Sequence, residues 1–260
     1  MNGILYYFSG TGNTKWVADR FKEKFQFYNI DIDLAYIQSV EDREIKKYDF
    51  IIIGFPVYWK LPPKIVTDFL NKMNNTKQNM RVIVYSTQAA SSSSAPCFIA
   101  GYLKKKGYVP SIQISIKMPN NFYFFIGKKY NQSEIKNLLT SADKKITNVV
   151  ENFIKGRTVK ESNSLIRLKF SKVLHSVFKG RVPKLSKNIS STKDCVKCGL
   201  CLRNCPQGNI TFEDGCAVFH SKCNLCLRCI HICPINAIRY KGKKIDQTQK
   251  NIIQVLELNK

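Results

Sequence analysis

The chain has 260 residues, enough for two domains, and 44% of them are hydrophobic, so a cored protein is expected rather than a disordered one. Lys and Arg outnumber Asp and Glu by 42 to 18, a formal charge of +24 that favours encounter with acidic partners. No secretory leader accompanies the ten cysteines, which argues against a disulfide scaffold and for a cytoplasmic protein; no run of about 18 apolar residues offers a transmembrane segment, and no helix-turn-helix, RNA-binding or zinc-finger signature makes nucleic acid an expected partner.

Residues 1–156 read as alternating strands and helices. Apolar runs at 4–8, 30–34, 50–54, 81–86 and 111–116 predict five strands. Helical periodicity predicts helices near 14–25, 63–73, 96–106 and 133–154. Uninterrupted runs such as Phe50-Ile51-Ile52-Ile53 imply strands buried on both faces, hence a parallel sheet. The alternation gives a doubly wound α/β domain.

The first strand runs into Ser9-Gly10-Thr11-Gly12-Asn13-Thr14, which opens the first helix. Glycines permit a tight turn, and hydroxyl and N–H groups at a helix N-terminus suit an anion. The segment is not a P-loop, because no Gly-Lys-Ser/Thr follows, and it lacks the GxGxxG order of dinucleotide sites. A plain Ser/Thr helix cap is the alternative; the position directly after strand one favours the anion site.

This hexapeptide, with the strand order around it, resembles the phosphate loop of flavodoxins, Ser/Thr-x-Thr-Gly-x-Thr. The resemblance implies FMN, with Ser9, Thr11, Asn13 and Thr14 at its phosphate and Gly10 and Gly12 allowing the turn. The ring would sit between the loops after strands one and three, where strand order reverses. The loop after strand three runs Phe55-Pro56-Val57-Tyr58-Trp59-Lys60-Leu61-Pro62-Pro63. Its adjacent aromatics Tyr58 and Trp59, stiffened by Pro56 and its fellow prolines, suit stacking on a flavin; folding back on the core is the alternative. Thr87 and Gln88, after strand four, complete the expected contacts. Flavodoxins commonly carry glycine and acidic residues there, where this chain has a serine run from Ser91.

Residues 157–190 form a connector. Leu165, Ile166, Leu168, Phe170, Val173, Leu174, Val177 and Phe178 recur at helical spacing, with Arg167, Lys169, Lys172, Lys179 and Arg181 among them. Such a basic amphipathic helix either lies on an anionic membrane or buries its stripe on its own domain. The second reading, an interdomain brace, is the expectation, with 184–193 a polar linker.

Residues 191–242 hold two runs of one pattern: Cys195-x₂-Cys198-x₂-Cys201-x₃-Cys205-Pro206 and Cys223-x₂-Cys226-x₂-Cys229-x₃-Cys233-Pro234. This is the spacing by which bacterial ferredoxins hold two [4Fe–4S] clusters, the fourth cysteine of each run crossing to the other cluster. Three cysteines on one tight loop wrap three iron corners, and the fourth has turned away. The crossing predicts one cluster on Cys195, Cys198, Cys201 and Cys233, and another on Cys205, Cys223, Cys226 and Cys229. Zinc sites favour two separated CxxC pairs instead. Every cysteine recurs 28 residues on, as do Pro206 at Pro234 and Ile210 at Ile238, so the domain is a duplicated half with pseudo-twofold symmetry. Residues 243–260 form a lysine-rich tail, whose apolar segment 252–258 suggests a terminal helix. Cys97 and Cys216 lie outside the pattern, and His175, His220 and His231 show no metal or triad spacing.

Both motif sets, in this order, resemble the flavodoxin–ferredoxin fusion proteins of anaerobes. The implied fold is a flavodoxin-like doubly wound parallel five-stranded sheet at 1–156, followed by a small α+β two-cluster ferredoxin-like domain. The implied function is transfer of single electrons between two [4Fe–4S] clusters, FMN and a redox partner protein, acidic by charge complementarity. The alternative is an FMN-dependent reductase of a small molecule, fed by the chain's own clusters.

Overall fold

The computed structural model describes residues 1–39, 47–76, 79–90, 94–161, 165–248, 253 and 256. The described chain divides into two units. The first comprises Met1–Ser9, Asn13–Asn120 and Tyr130–His175. The second gathers Gly10–Gly12, Asn121–Lys129 and Ser176–Lys260.

The first unit is built on a parallel sheet. Its strands are β1 (Asn2–Tyr7), β2 (Asp31–Tyr36), β3 (Phe50–Pro56), β4 (Arg81–Gln88), β5 (Val109–Lys117) and β6 (Val159–Lys160). They lie in the order β2-β1-β3-β4-β5-β6, every pairing parallel. Between them run α1 (Asn13–Gln26), α2 (Lys64–Lys72), α3 (Ala95–Lys105) and α4 (Gln132–Ile154). Alternate strand residues feed two cores. Leu5, Ile52, Ile83 and Ile114 pack with Val17 and Phe21 of α1 and Ile146 and Phe153 of α4. Ile4, Ile51, Ile53 and Val84 pack with Val66 and Leu70 of α2 and Ile99 and Leu103 of α3. Burial on both faces is why the strands read as continuous apolar runs. A capping box starts α4: the Asn131 side chain accepts from the Glu134 N–H at 2.8 Å, and Glu134 accepts from the Asn131 N–H at 2.9 Å.

All five expected strands and four expected helices are present. The sheet nonetheless has six strands rather than five. Two residues are too few to carry a periodic signal, and β6 is held by its neighbours: Glu161 accepts from the Ser115 N–H of β5 at 3.0 Å and pairs with Lys145 of α4.

A long helix, α5 (Leu165–Ser186), follows. The segment expected to be a polar linker instead contains the end of α5 and a strand, β7 (Ile189–Ser191). Alternation put Ile189 inward, where it is buried, but a three-residue strand flanked by lysines is hidden in composition. The rest of the second unit is small. It holds α6 (Leu200–Arg203), the hairpin of β8 (Ile210–Glu213) and β9 (Cys216–Phe219), α7 (Arg228–Ile232), β10 (Ile238–Tyr240) and β11 (Lys243–Lys244). A β11-β10-β7 antiparallel sheet joins its start to its end. The serine run 91–93 and most of the expected terminal helix lie outside the described residues; Ile253 and Leu256 are described and buried. Among the described residues, no helix is long and apolar enough to cross a membrane.

Gly54 of β3 sits directly under the Tyr85 ring of β4, where a Cβ would overlap the ring. The Tyr85 ring packs on Phe21 with centroids 5.1 Å apart, and its hydroxyl donates to the Thr14 carbonyl at 3.0 Å, so it cannot retreat without losing that bond. Gly54→Ala is therefore expected to destabilise the first unit by about 1–3 kcal/mol. Denaturant unfolding of the full chain checks this; an unchanged midpoint contradicts it.

Candidate functional site

The switch in strand order falls at β1 and β3, so their C-terminal ends open onto the crevice where doubly wound sheets bind ligands. The hexapeptide at 9–14 leaves β1 and enters α1. Gly12 takes φ +100°, a conformation that opposes any Cβ, which explains a glycine at this turn. Ser9, Thr11 and Thr14 are all buried. Thr14 shares a 2.7 Å hydroxyl–hydroxyl bond with Thr87, so two expected site residues from different loops meet. Asn13 donates through Nδ2 to the Pro119 carbonyl at 2.9 Å, and its buried Oδ1 accepts no bond within the described protein. Thr11 is bonded by the Asn121 side chain within the second unit. No acidic residue stands in the first turn of α1, and Lys15 there is paired with Asp19 at 2.5 Å. Helix-end N–H groups, buried hydroxyls and no nearby carboxylate in that turn fit a phosphate.

The loop after β3 is a tight turn. The Tyr58 N–H donates to the Leu61 carbonyl at 2.9 Å, and the residues between them, Trp59 and Lys60, take φ of +50° and +77°. Left-handed backbone at two successive non-glycine residues is sparsely populated and concentrates at ligand sites. Tyr58 meets Phe8 edge-on, with centroids 6.5 Å apart, and both Tyr58 and Trp59 are partly buried. His175 of α5 holds this turn: its Nδ1 lies 3.2 Å from both the Tyr58 and Trp59 carbonyls, so Nδ1 carries the proton and donates to them. Pro56 ends β3, half-buried. Gln88 is buried with its amide committed to its own segment, accepting from Ser86 at 3.1 Å and donating to the Ala90 carbonyl at 3.0 Å.

In the second unit, the repeat seen in sequence extends to the backbone. Left-handed φ occurs at Lys197 and Leu225, at Gly199 and Leu227, and at Gly208 and Asn236, each pair 28 residues apart. The short helices α6 and α7 start at the same offset. The fourth cysteine of each run accepts an N–H from the fourth residue after it: Asn209 to Cys205 Sγ at 3.3 Å, and Ala237 to Cys233 Sγ at 3.2 Å. Cys223 Sγ accepts from Leu225 N–H at 3.3 Å. Such donors favour the thiolate that binds iron.

One pocket is lined by Cys195, Cys198, Cys201 and Cys233, with the apolar side chains of Leu200, Phe212 and Ile238 around them. The fourth cysteine of the second run thus stands with the first three of the first. The remaining four form the other neighbourhood. Burial pushes the Cys226 thiol up to about 12, with Cys223 and Cys205 adding to the shift and Arg228 opposing it. Burial likewise raises Cys223 and Cys229, with Cys205 contributing to each. Burial pushes Cys201 up to about 11, the Leu202 N–H opposing and Cys195, Cys233 and Cys198 adding. Buried sulfurs that raise one another's proton affinity are a donor set that fits a cationic iron core, since iron replaces the protons.

Three residues here carry no motif signal. Arg228 is buried and donates through Nε to the Gly10 carbonyl at 2.9 Å and through Nη1 to the Asn204 carbonyl at 3.0 Å. His231 is buried. Its Nε2 donates to the Asn121 carbonyl at 3.1 Å and its Nδ1 accepts from the Thr248 N–H at 3.4 Å. Burial lowers its pKa to about 4 against the Asn121 bond, so the ring is neutral. Asn121 also accepts from the Thr248 hydroxyl at 3.1 Å. Position between two patterned cysteines is the sole sequence signal for Arg228 and His231; Asn121 has none. Cys97 lies in the first turn of α3 and Cys216 opens β9, both half-buried.

A family model described as a flavodoxin domain matches residues 4–133, half of the chain. A second, described as a 4Fe-4S binding domain, matches residues 217–239, which hold the second cysteine run. No curated protein matches. Among solved structures, a flavodoxin from the domain Archaea is 19% identical over 58% of this chain and 99% of its own, with a TM-score of 0.42. Oxidised flavodoxin 2 from Bacillus cereus is 17% identical over 60% and 99%, with a TM-score of 0.45. A Fusobacterium nucleatum flavodoxin bound to flavin mononucleotide is 14% identical over 60% and 98%, with a TM-score of 0.42. The chain belongs to the flavodoxin-domain family and carries a 4Fe-4S binding domain behind that first domain, the composition of an electron-transfer protein that binds FMN and at least one 4Fe-4S cluster.

Proposed function

We propose that the chain moves single electrons between a redox partner protein, two [4Fe–4S] clusters and one FMN. The observation that carries this reading is the pocket in which Cys233 joins Cys195, Cys198 and Cys201, leaving a second complete set of four in Cys205, Cys223, Cys226 and Cys229. When bound, these groups accept and return electrons one at a time, and the protein supplies position, dryness and electrostatics.

Each part of the chain has a task in that scheme. Ser9, Thr11, Asn13 and Thr14 hold the flavin phosphate at the start of α1, with Gly10 and Gly12 letting the backbone approach. Tyr58 and Trp59 flank the ring, Pro56 stiffens their loop and His175 fixes it. Thr87 orients Thr14 through their shared hydroxyl bond. Gln88 shapes the β4 end from inside, since both ends of its amide are engaged. Leu200, Phe212 and Ile238 give the first cluster's pocket its apolar lining. Arg228 places a buried positive charge beside Cys226, where added negative charge would accumulate on reduction. A surface of +24 formal charge favours an acidic partner at low salt.

The decisive test of this reading is composition. Anaerobic reconstitution of the full chain is expected to yield about eight irons, about eight sulfides and one FMN per chain. Retention of only about four irons contradicts the two-cluster assignment, and selective retention of FAD contradicts the flavin assignment.

Arg228 supplies a second test. Arg228→Leu leaves the Gly10 and Asn204 carbonyls without their donor, expected to cost about 1–3 kcal/mol of stability. It also removes a cation from beside the sulfurs, so one cluster midpoint becomes more negative, whereas Arg228→Lys keeps the charge and shifts it less. Redox titration followed by paramagnetic resonance reads both. Equal midpoints in all three proteins would show that this cation does not act on the cluster.

A further inference from the structure

The connector helix α5 is apolar on two sides. Its inner side is used: Phe178 is buried, Ser171 lies 3.4 Å from Ser94, His175 holds the 58–61 turn, and Lys172 sits over the Phe98 ring at 5.6 Å. Its outer side is not. Ile166 is 81% exposed, Phe170 61%, Val173 62% and Val177 51%. These four recur at intervals of four, three and four residues, so they form one straight row along the helix. An interdomain brace would leave these four apolar residues uncovered.

What surrounds the row is cationic. α5 contains six Lys and Arg residues and no Asp or Glu. Lys169, Lys179, Arg181 and Lys184 are exposed. By the helical step of 3.6 residues per turn, Lys169 falls on one flank of the row, Arg181 on the other, and Lys184 in line beyond Val177.

We propose that the outer face of α5 docks on an anionic lipid surface, with Ile166, Phe170, Val173 and Val177 entering the acyl boundary and the flanking Lys and Arg meeting headgroup phosphates. An exposed apolar row with cations beside it binds an anionic interface through the apolar area it buries and the attraction of its cations to headgroups, without spanning the bilayer, in keeping with the absence, among the described residues, of a helix fit to span. Pairing of α5 with a second copy of itself would oppose cation to cation along the whole contact, because the helix has no acidic residue to answer them. A protein partner needs a groove shaped to four particular side chains; a fluid bilayer needs only the row and its cationic flanks, which is what α5 presents. The excess of positive charge over the whole chain adds long-range attraction to the same surface.

The test uses the full chain loaded with its cofactors. Vesicles of phosphatidylcholine mixed with phosphatidylglycerol are expected to co-sediment it, vesicles of phosphatidylcholine alone far less, and added salt to weaken the binding. The double variant Phe170→Glu/Val173→Glu changes only exposed positions, so iron and flavin content should hold while vesicle partitioning falls by at least about tenfold. Lys169→Glu/Arg181→Glu keeps the apolar row and is expected to lose the preference for phosphatidylglycerol. The proposal fails if the wild-type chain ignores the mixed vesicles, or if both variants bind them as well as wild type. It also fails if the wild-type chain sediments without lipid as a dimer that Phe170→Glu/Val173→Glu dissociates, which would make the row a self-interface.

Discussion

Four cysteines line one pocket, and they do not come from one loop: Cys195, Cys198 and Cys201 are joined there by Cys233 rather than by Cys205. Cys233 lies at the far end of the duplicated segment. Much of the second unit follows from that crossing. β7 and β10 must pair to bring residue 191 beside residue 238. Left-handed residues recur at matching places in both halves because both loops wrap the same shape. Leu225 and Leu227 adopt that conformation without being glycine, at a cost of about 1 kcal/mol each. The protein alone favours protonated thiols at Cys201 and Cys226, since burial and facing sulfurs both oppose the thiolate. Iron bound there would reverse that preference and so couple metal binding to the ordering of these loops.

The first unit works from a different constraint. A parallel sheet buried on both faces forces every functional loop to one edge. The 9–14 turn and the 58–61 turn therefore sit where β1 and β3 end. Their packing is secured from beneath: Tyr85 holds the Thr14 carbonyl and Thr87 holds its hydroxyl. Trp59 and Lys60 remain in a strained turn because the Tyr58–Leu61 bond and His175 over-determine it.

The sequence was legible where one physical signal dominates. Apolar runs such as 50–53 declare doubly buried strands, and cysteine spacing declares cluster loops. It was opaque where structure rests on one or two residues. β6 and β7 are too short for periodicity to register. Arg228 and His231 stand between patterned cysteines with no motif of their own, yet both are buried and bonded to residues more than a hundred positions away. His175 gave no hint of its partner, since its bonds go to backbone carbonyls of a distant turn. In α5 the spacing was helical, but Ile166, Phe170, Val173 and Val177 belong to a face roughly 100° around the helix from Phe178. A list of apolar positions merges the two, and only exposure separates them.

The crossing of ligands between the two cysteine runs is the central claim, and the most direct measurement of it is iron anomalous diffraction from crystals of the anaerobically reconstituted full chain. Two separate iron centres are expected. One should lie within bonding distance of Cys195, Cys198, Cys201 and Cys233, the other of Cys205, Cys223, Cys226 and Cys229. A single centre, or two centres each held by the four cysteines of one run, would contradict it.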